Sequence, residues 1–131
     1  IDRLLPQADF VIVATPLTPE TMNLMNRTRL ALLKPTAALI NIGRARVVDY
    51  DALRDKLNVN ELAGAVLDVH SPEPLPAGSP LWNTRNLIVT PHISCDDPRY
   101  TDFLCDSWFE NFARLLAGKP LKHQVDRTLG Y

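Results

Sequence analysis

The chain has little cysteine, no long apolar run and almost no net charge, and each shortage removes a class of answer. Two cysteines in 131 residues, Cys95 and Cys105, are too few for a disulfide framework. Stability must then come from packing, and reduced thiols in a cytoplasm are the default. No stretch approaches the ~18 apolar residues that a membrane-spanning helix needs, so no membrane partner is expected. A formal net charge of -1 argues against a basic patch for nucleic acid or anionic lipid. Internal repeats, low-complexity segments and flexible interdomain linkers are also missing. So is an initiator methionine: the sequence opens with IDRLLPQADF, which leaves room for a targeting segment upstream. What remains is the 46% hydrophobic, 22% charged composition of an ordinary soluble globular domain.

Four short apolar runs stand out, at Phe10–Ala14, Ala37–Ile42, Leu62–Val69 and Leu87–Thr90. They are nearly continuous rather than alternating, as expected of parallel strands covered on both faces. Between the first two, Asn26 can cap a short helix that must end near Pro35. Between the second and third, Asp49 can cap an amphipathic helix built on Leu53 and Leu57. Strands alternating with short helices predict an α/β fold with a parallel sheet. The third connection, HSPEPLPAGSPLWNTRN, is rich in proline and reads as an irregular loop. Residues 100–117 form the longest helical pattern, and Gly118 with Pro120 stops it. Its stripe of Phe103, Leu104, Trp108, Phe112, Leu115 and Leu116 reads as core packing. The tail LKHQVDRTLGY is expected to be extended and docked.

In an open parallel sheet, ligands bind beyond the carboxyl ends of the strands. Thr15 and Pro16 follow the first strand here, and Asn41, Gly43 and Arg44 end the second. Asp68 ends the third, with Glu73 in the loop beyond, and Thr90 and His92 end the fourth. Singly, each is read as structural: Arg44 as a surface ion-pair partner, Glu73 as a solvated loop residue, His92 as a core histidine. Together they converge on one edge. There, Arg44 can grip a carboxylate bidentately. Glu73 is held stiffly between Pro72 and Pro74. His92 can act as a general acid, with Glu73 raising its pKa. Two other chemistries compete for the stretch VTPHISCDDP. A metal reading uses His92, Cys95, Asp96, Asp97 and His70, but a lone H-x-x-C has no second ligand pair at matching spacing. A thiol-nucleophile reading pairs Cys95 with His92, and no further motif supports it.

Four blocks, in order, resemble the C-terminal half of the D-isomer-specific 2-hydroxyacid dehydrogenases, the group that includes glyoxylate and hydroxypyruvate reductases. They are ADFVIVATPLTPET, LLKPTAALINIGRARVVDYDAL, LAGAVLDVHSPEPLPAGSPLW and NLIVTPHIS. The resemblance implies the C-terminal half of a Rossmann-type doubly wound parallel sheet over residues 1–131. Residues 98–131 would be a helix and tail that dock on a substrate domain outside this chain. It also implies hydride transfer between NAD or NADP and C2 of a small 2-oxo or 2-hydroxy acid. Arg44 would hold the substrate carboxylate, and His92 would exchange the proton on the C2 oxygen. Glu73 would hold the imidazole and favour its protonated form. Asp68 and the backbone around Ile42 and Gly43, with Arg44 and His92 beside them, would contact the nicotinamide. Thr15, Pro16 and Thr21 would line the adenosine and pyrophosphate side. No metal is implied, and a homodimer is the family's usual form.

The sequence departs from the family in three places. Ala45 follows the arginine, where the family usually has glycine. SCDDP follows the histidine, where small residues are common. No G-x-G-x-x-G occurs in the chain, nor the acidic residue that selects NAD over NADP. The chain is therefore expected to be a fragment that lacks the pyrophosphate cradle and is inactive alone. Two rival functions stand beside the reductase: a nucleotide-sensing corepressor of the same fold, and a hydrolase centred on Cys95 or a metal.

Overall fold

A computed structural model describes residues 1–129. Gly130 and Tyr131, the last residues of the expected tail, lie outside the described residues. The chain divides into two compact units, Ile1–Ser94 and Cys95–Tyr131.

The first unit is built on a parallel sheet in sequential order, β1 (Phe10–Val13), β2 (Ala38–Asn41), β3 (Gly64–Leu67) and β4 (Leu87–Val89). Each ladder is shorter than the apolar run that announced it. Ala37, Leu62 and Val69 are buried but lie outside the ladders, so their apolar character reflects burial rather than strand pairing. Helix α1 (Arg27–Ala31) starts where Asn26 Oδ1 accepts a hydrogen bond from the Arg29 amide at 3.0 Å. Helix α2 (Tyr50–Asn58) starts in the same way, with Asp49 Oδ1 accepting from the Ala52 amide at 2.9 Å. Leu30 of α1 and Ala52, Leu53 and Leu57 of α2 pack against Val13, Leu39, Ala65 and Leu67, which share one sheet face. The proline-rich connection is irregular apart from a 3-10 turn at Pro80–Asn83, as expected.

The other sheet face corrects the expectation that both faces are covered. Phe10 is 70% exposed, Ile12 62% and Ile88 60%. Both helices lie in crossovers whose apolar residues join the same cluster, so one face of the sheet is left open.

In the second unit, α3 (Tyr100–Leu116) ends as its sequence predicts. Gly118 takes a left-handed φ of 64°, and the amides of Lys119 and Gly118 turn back to the carbonyls of Arg114 and Leu115. The reading of its aromatic stripe as packed core is not borne out, because no residue of α3 is buried. A single helix and tail cannot enclose a core, so the aromatics pack on one another. Trp108 stacks on Phe112 at 5.3 Å and meets Phe109 edge-on at 5.1 Å. The tail folds back onto its own helix rather than running extended. Asn111 bonds both the amide and the carbonyl of Lys122, and Arg114 Nε donates to the Pro120 carbonyl.

Candidate active site

The ladders align Val13, Asn41, Leu67 and Val89 across the sheet. The segments that follow these residues therefore leave from one edge. Neighbouring strands are about 4.8 Å apart, so the ends of β2 and β4 are separated by about 10 Å, room for a small molecule between groups rising from each.

At the end of β1, Thr21 Oγ1 donates to the Pro16 carbonyl at 2.7 Å and accepts from the Thr18 amide at 2.7 Å. Its hydroxyl thus shapes the Thr15–Thr21 loop from within. At the end of β2, Asn41 is fully buried and accepts from the Gly43 amide at 3.1 Å. Its amide group donates to the Arg44 carbonyl and to the Tyr50 hydroxyl, which in turn donates to the Val69 carbonyl at 2.7 Å. The turn that carries Arg44 is thereby tied to the end of β3. Burial raises the Tyr50 phenol's pKa far above its ordinary value, so Tyr50 is a neutral cross-link. Arg44 itself is exposed, with Nη1 donating to the Gly43 carbonyl. Among the described residues no carboxylate pairs with it, so its charge is free for a ligand. Ala45 does not take a positive φ, so the turn tolerates alanine where the family has glycine.

Asp68 and Glu73 hold the end of β4. Asp68 is 1% exposed. Its Oδ1 accepts from Thr90 Oγ1 at 2.6 Å and from the Ile93 amide at 2.9 Å, and its Oδ2 accepts from the Ser94 amide at 2.9 Å. Burial pushes the carboxyl's pKa up, but the hydrogen bonds from Thr90, Ser94 and Ile93 outweigh it and hold the group well below the usual carboxylate range. The same bonds brace His92, whose φ of 59° is an uncommon left-handed conformation for a side-chain-bearing residue. Glu73 Oε1 accepts from the His70 amide at 2.7 Å, and Oε2 faces His92 Nδ1 at 3.0 Å. The His70 amide, and then His92, lower the Glu73 pKa, so Glu73 stands as a carboxylate. With Nδ1 against that carboxylate, Nε2 of His92 is the nitrogen left to meet a ligand. A cavity of about 600 Å³ adjoins the pair, with Leu75, Trp82 and Pro91 among its walls.

The structure thus joins Glu73 to His92 directly and sets Arg44, Thr15, Pro16, Ile42 and Gly43 on the same sheet edge. Asp68, expected to contact the nicotinamide, has its carboxylate bonded to the His92 turn. Among the described residues no three His, Cys, Asp or Glu side chains gather as a metal-binding group. Cys95 is exposed and belongs to the other unit. Tyr50 and Trp82 carried no sequence signal. One is an ordinary helix residue, and the other reaches the cavity only through the fold of its loop.

The ends of β1 and β2 meet closely at this edge. A Cβ on Gly43 would lie 2.7 Å from the Thr15 carbonyl oxygen and 3.1 Å from the Thr15 nitrogen, so only glycine lets β1 and β2 close there. Ile42 is exposed beside it, and the Thr15 hydroxyl is buried without a partner among the described residues. For the phosphates, the sequence offers no glycine-rich cradle.

Residues 1–94 match the family model described as D-isomer specific 2-hydroxyacid dehydrogenase, NAD binding domain. The chain is 43% identical over 128 residues to glyoxylate/hydroxypyruvate reductase B of Pectobacterium carotovorum, an alignment covering 96% of this chain and 39% of that protein. A D-isomer specific 2-hydroxyacid dehydrogenase from Xanthobacter autotrophicus, solved with NADPH and MES, superposes with a TM-score of 0.86 at 44% identity, covering 98% of this chain and 54% of that one. The NADPH-dependent glyoxylate/hydroxypyruvate reductase of Sinorhizobium meliloti, solved with NADP and sulfate, gives a TM-score of 0.88 at 32% identity, covering 99% and 42%. The chain spans about two-fifths of the length of the curated reductase it matches.

Proposed function

The chain belongs to the D-isomer specific 2-hydroxyacid dehydrogenase family, and from that premise we propose that it is the catalytic-histidine portion of a reductase of small 2-oxo acids such as glyoxylate or hydroxypyruvate. The observation that carries the proposal is the Glu73–His92 pair, held at 3.0 Å on the same sheet edge as Arg44, which pairs with no carboxylate among the described residues.

When bound, a nicotinamide cofactor, NAD or NADP, supplies or takes up the hydride at the substrate's C2. The chain's own residues do the rest. Arg44 binds the substrate carboxylate through paired N–H donors and draws electron density toward the C2 oxygen. His92 Nε2 gives that oxygen a proton during reduction and removes it during oxidation, while Glu73 keeps Nδ1 engaged and the ring oriented. Asp68 keeps the turn beneath His92 from relaxing. Asp68 and the backbone around Ile42 and Gly43 would meet the nicotinamide, and Thr15, Pro16 and Thr21 would line the adenosine and pyrophosphate side. The phosphate cradle and the residues that select NAD or NADP would come from a part of the protein outside this chain. The parent enzyme is proposed to be a cytoplasmic homodimer that binds neither nucleic acid nor membrane.

Glyoxylate, hydroxypyruvate and pyruvate, each with NADH and NADPH, test this in the full-length protein. We expect consumption of reduced cofactor at about 1–1000 per second on the best pair. No turnover of any 2-oxo acid with either cofactor would refute it.

A further inference from the structure

His70 is the one buried histidine of the first unit, 8% exposed, and the mechanism above makes no use of it. It sits just past β3, two residues beyond Asp68. Its Nε2 lies 2.9 Å from the Thr90 carbonyl oxygen. A carbonyl only accepts, so Nε2 carries the proton and donates, and Nδ1 is left as the ring's acceptor. That Nδ1 is buried and has no partner among the described residues, which costs free energy relative to an apolar ring of similar size. A phenylalanine would fill the space without that cost. What the histidine adds is the N–H that reaches Thr90.

That single bond closes a ring of contacts around His92. Thr90 lies two residues before His92 in the chain. The His70 backbone amide donates to Glu73 Oε1 at 2.7 Å, and Glu73 Oε2 meets His92 Nδ1 at 3.0 Å. One residue therefore grips both supports of the imidazole: the backbone on which it stands and the carboxylate that orients it. Asp68 grips the far side of the same turn through Ile93 and Ser94. Without the His70 side chain, Thr90 keeps the bonds of its amide to the Leu67 carbonyl at 3.0 Å and of its hydroxyl to Asp68, but its carbonyl, the group next in line toward His92, loses the donor that fixes it.

We propose that His70 is a positioning residue for the His92 proton transfer, acting through the Thr90 carbonyl; this rests on the functional reading above. Displacing a catalytic group by about 1 Å can cost on the order of 100-fold in rate, so losing the clamp should lower kcat and leave substrate affinity nearly intact.

The test uses the full-length protein with His70→Phe, which keeps the bulk and loses the donor, and His70→Gln, which returns a side-chain N–H. We expect His70→Phe to lower kcat by about 10- to 100-fold with KM little changed, and His70→Gln to recover most of the loss. In a His92→Gln background, His70→Phe should cost nothing further, because it acts only through His92. An equal loss in both backgrounds, or no loss in the wild type, overturns the proposal. If the phenylalanine variant does not fold, His70→Met takes its place in the same comparison. The nuclear magnetic resonance signal of the His92 imidazole should shift in the donor-less variant and return in His70→Gln. That readout needs no turnover. An enzyme inactive on every 2-oxo acid refutes the proposed function, whereas an unmoved His92 signal refutes the positioning role.

Discussion

Asp68→Asn tests how the His92 turn is held. The amide oxygen of asparagine can take the place of Oδ1 and keep the bonds from Thr90 Oγ1 and the Ile93 amide, at 2.6 and 2.9 Å. The NH2 group then replaces Oδ2 and points one donor at another, the Ser94 amide, at 2.9 Å. A hydrogen bond to a charged acceptor contributes about 1.5–3 kcal/mol. The two surviving bonds also lose their charge assistance, so the expected cost is about 3 kcal/mol. Urea denaturation at neutral pH reads it as a lower midpoint at unchanged slope. Faster amide exchange at Ile93 and Ser94 reads it locally. The pH dependence has a definite sign. The folded Asp68 pKa is depressed, so in acid the unfolded chain binds the extra proton and stability rises with pH. The carboxylate's contribution is complete above the ordinary Asp value of about 4 and fades as pH falls below it. The wild-type advantage over Asp68→Asn should therefore be level from about pH 5 upward and shrink in stronger acid. A difference under about 0.5 kcal/mol at pH 7, or one that persists unchanged at pH 3, would show that the carboxylate is not what braces the turn.

Four further outcomes follow from the site and the sheet. Gly43→Ala should destabilise the protein by about 1–3 kcal/mol in thermal or chemical unfolding, since the added Cβ meets Thr15 backbone rather than a movable side chain. In the full-length protein, His92→Gln should lower kcat by about 100- to 10,000-fold. Arg44→Lys should raise KM for the 2-oxo acid as well as lower kcat, because an ammonium cannot bind a carboxylate bidentately. The purified 131-residue chain should self-associate in sedimentation through the open sheet face of Phe10, Ile12 and Ile88, and a monodisperse monomer would count against that.

Local chemistry is legible in the sequence. Asn26 and Asp49 cap their helices, and Gly118 ends α3, because each interaction spans only a few residues and depends on side chains written side by side. That the four strands run parallel followed from apolar runs of which the first three are spaced by short helices. Arg44, Glu73 and His92 could be chosen because every strand of such a sheet delivers its last residues to one edge. The extent of burial was not legible. A continuous apolar run looks the same whether one sheet face is covered or two, and a helical stripe does not say what lies opposite it. Nor could the sequence assign Asp68 and His70. That an aspartate at a strand's end accepts from amides 25 and 26 residues onward depends on the register of β3 against β4. The histidine two residues later entered as a candidate metal ligand and emerged as the donor to Thr90, a contact 20 residues away in the chain. Short-range hydrogen bonds and apolar periodicity were determined by the sequence alone. Which buried polar groups meet was decided by how the strands pair, because only the folded sheet brings their ends together.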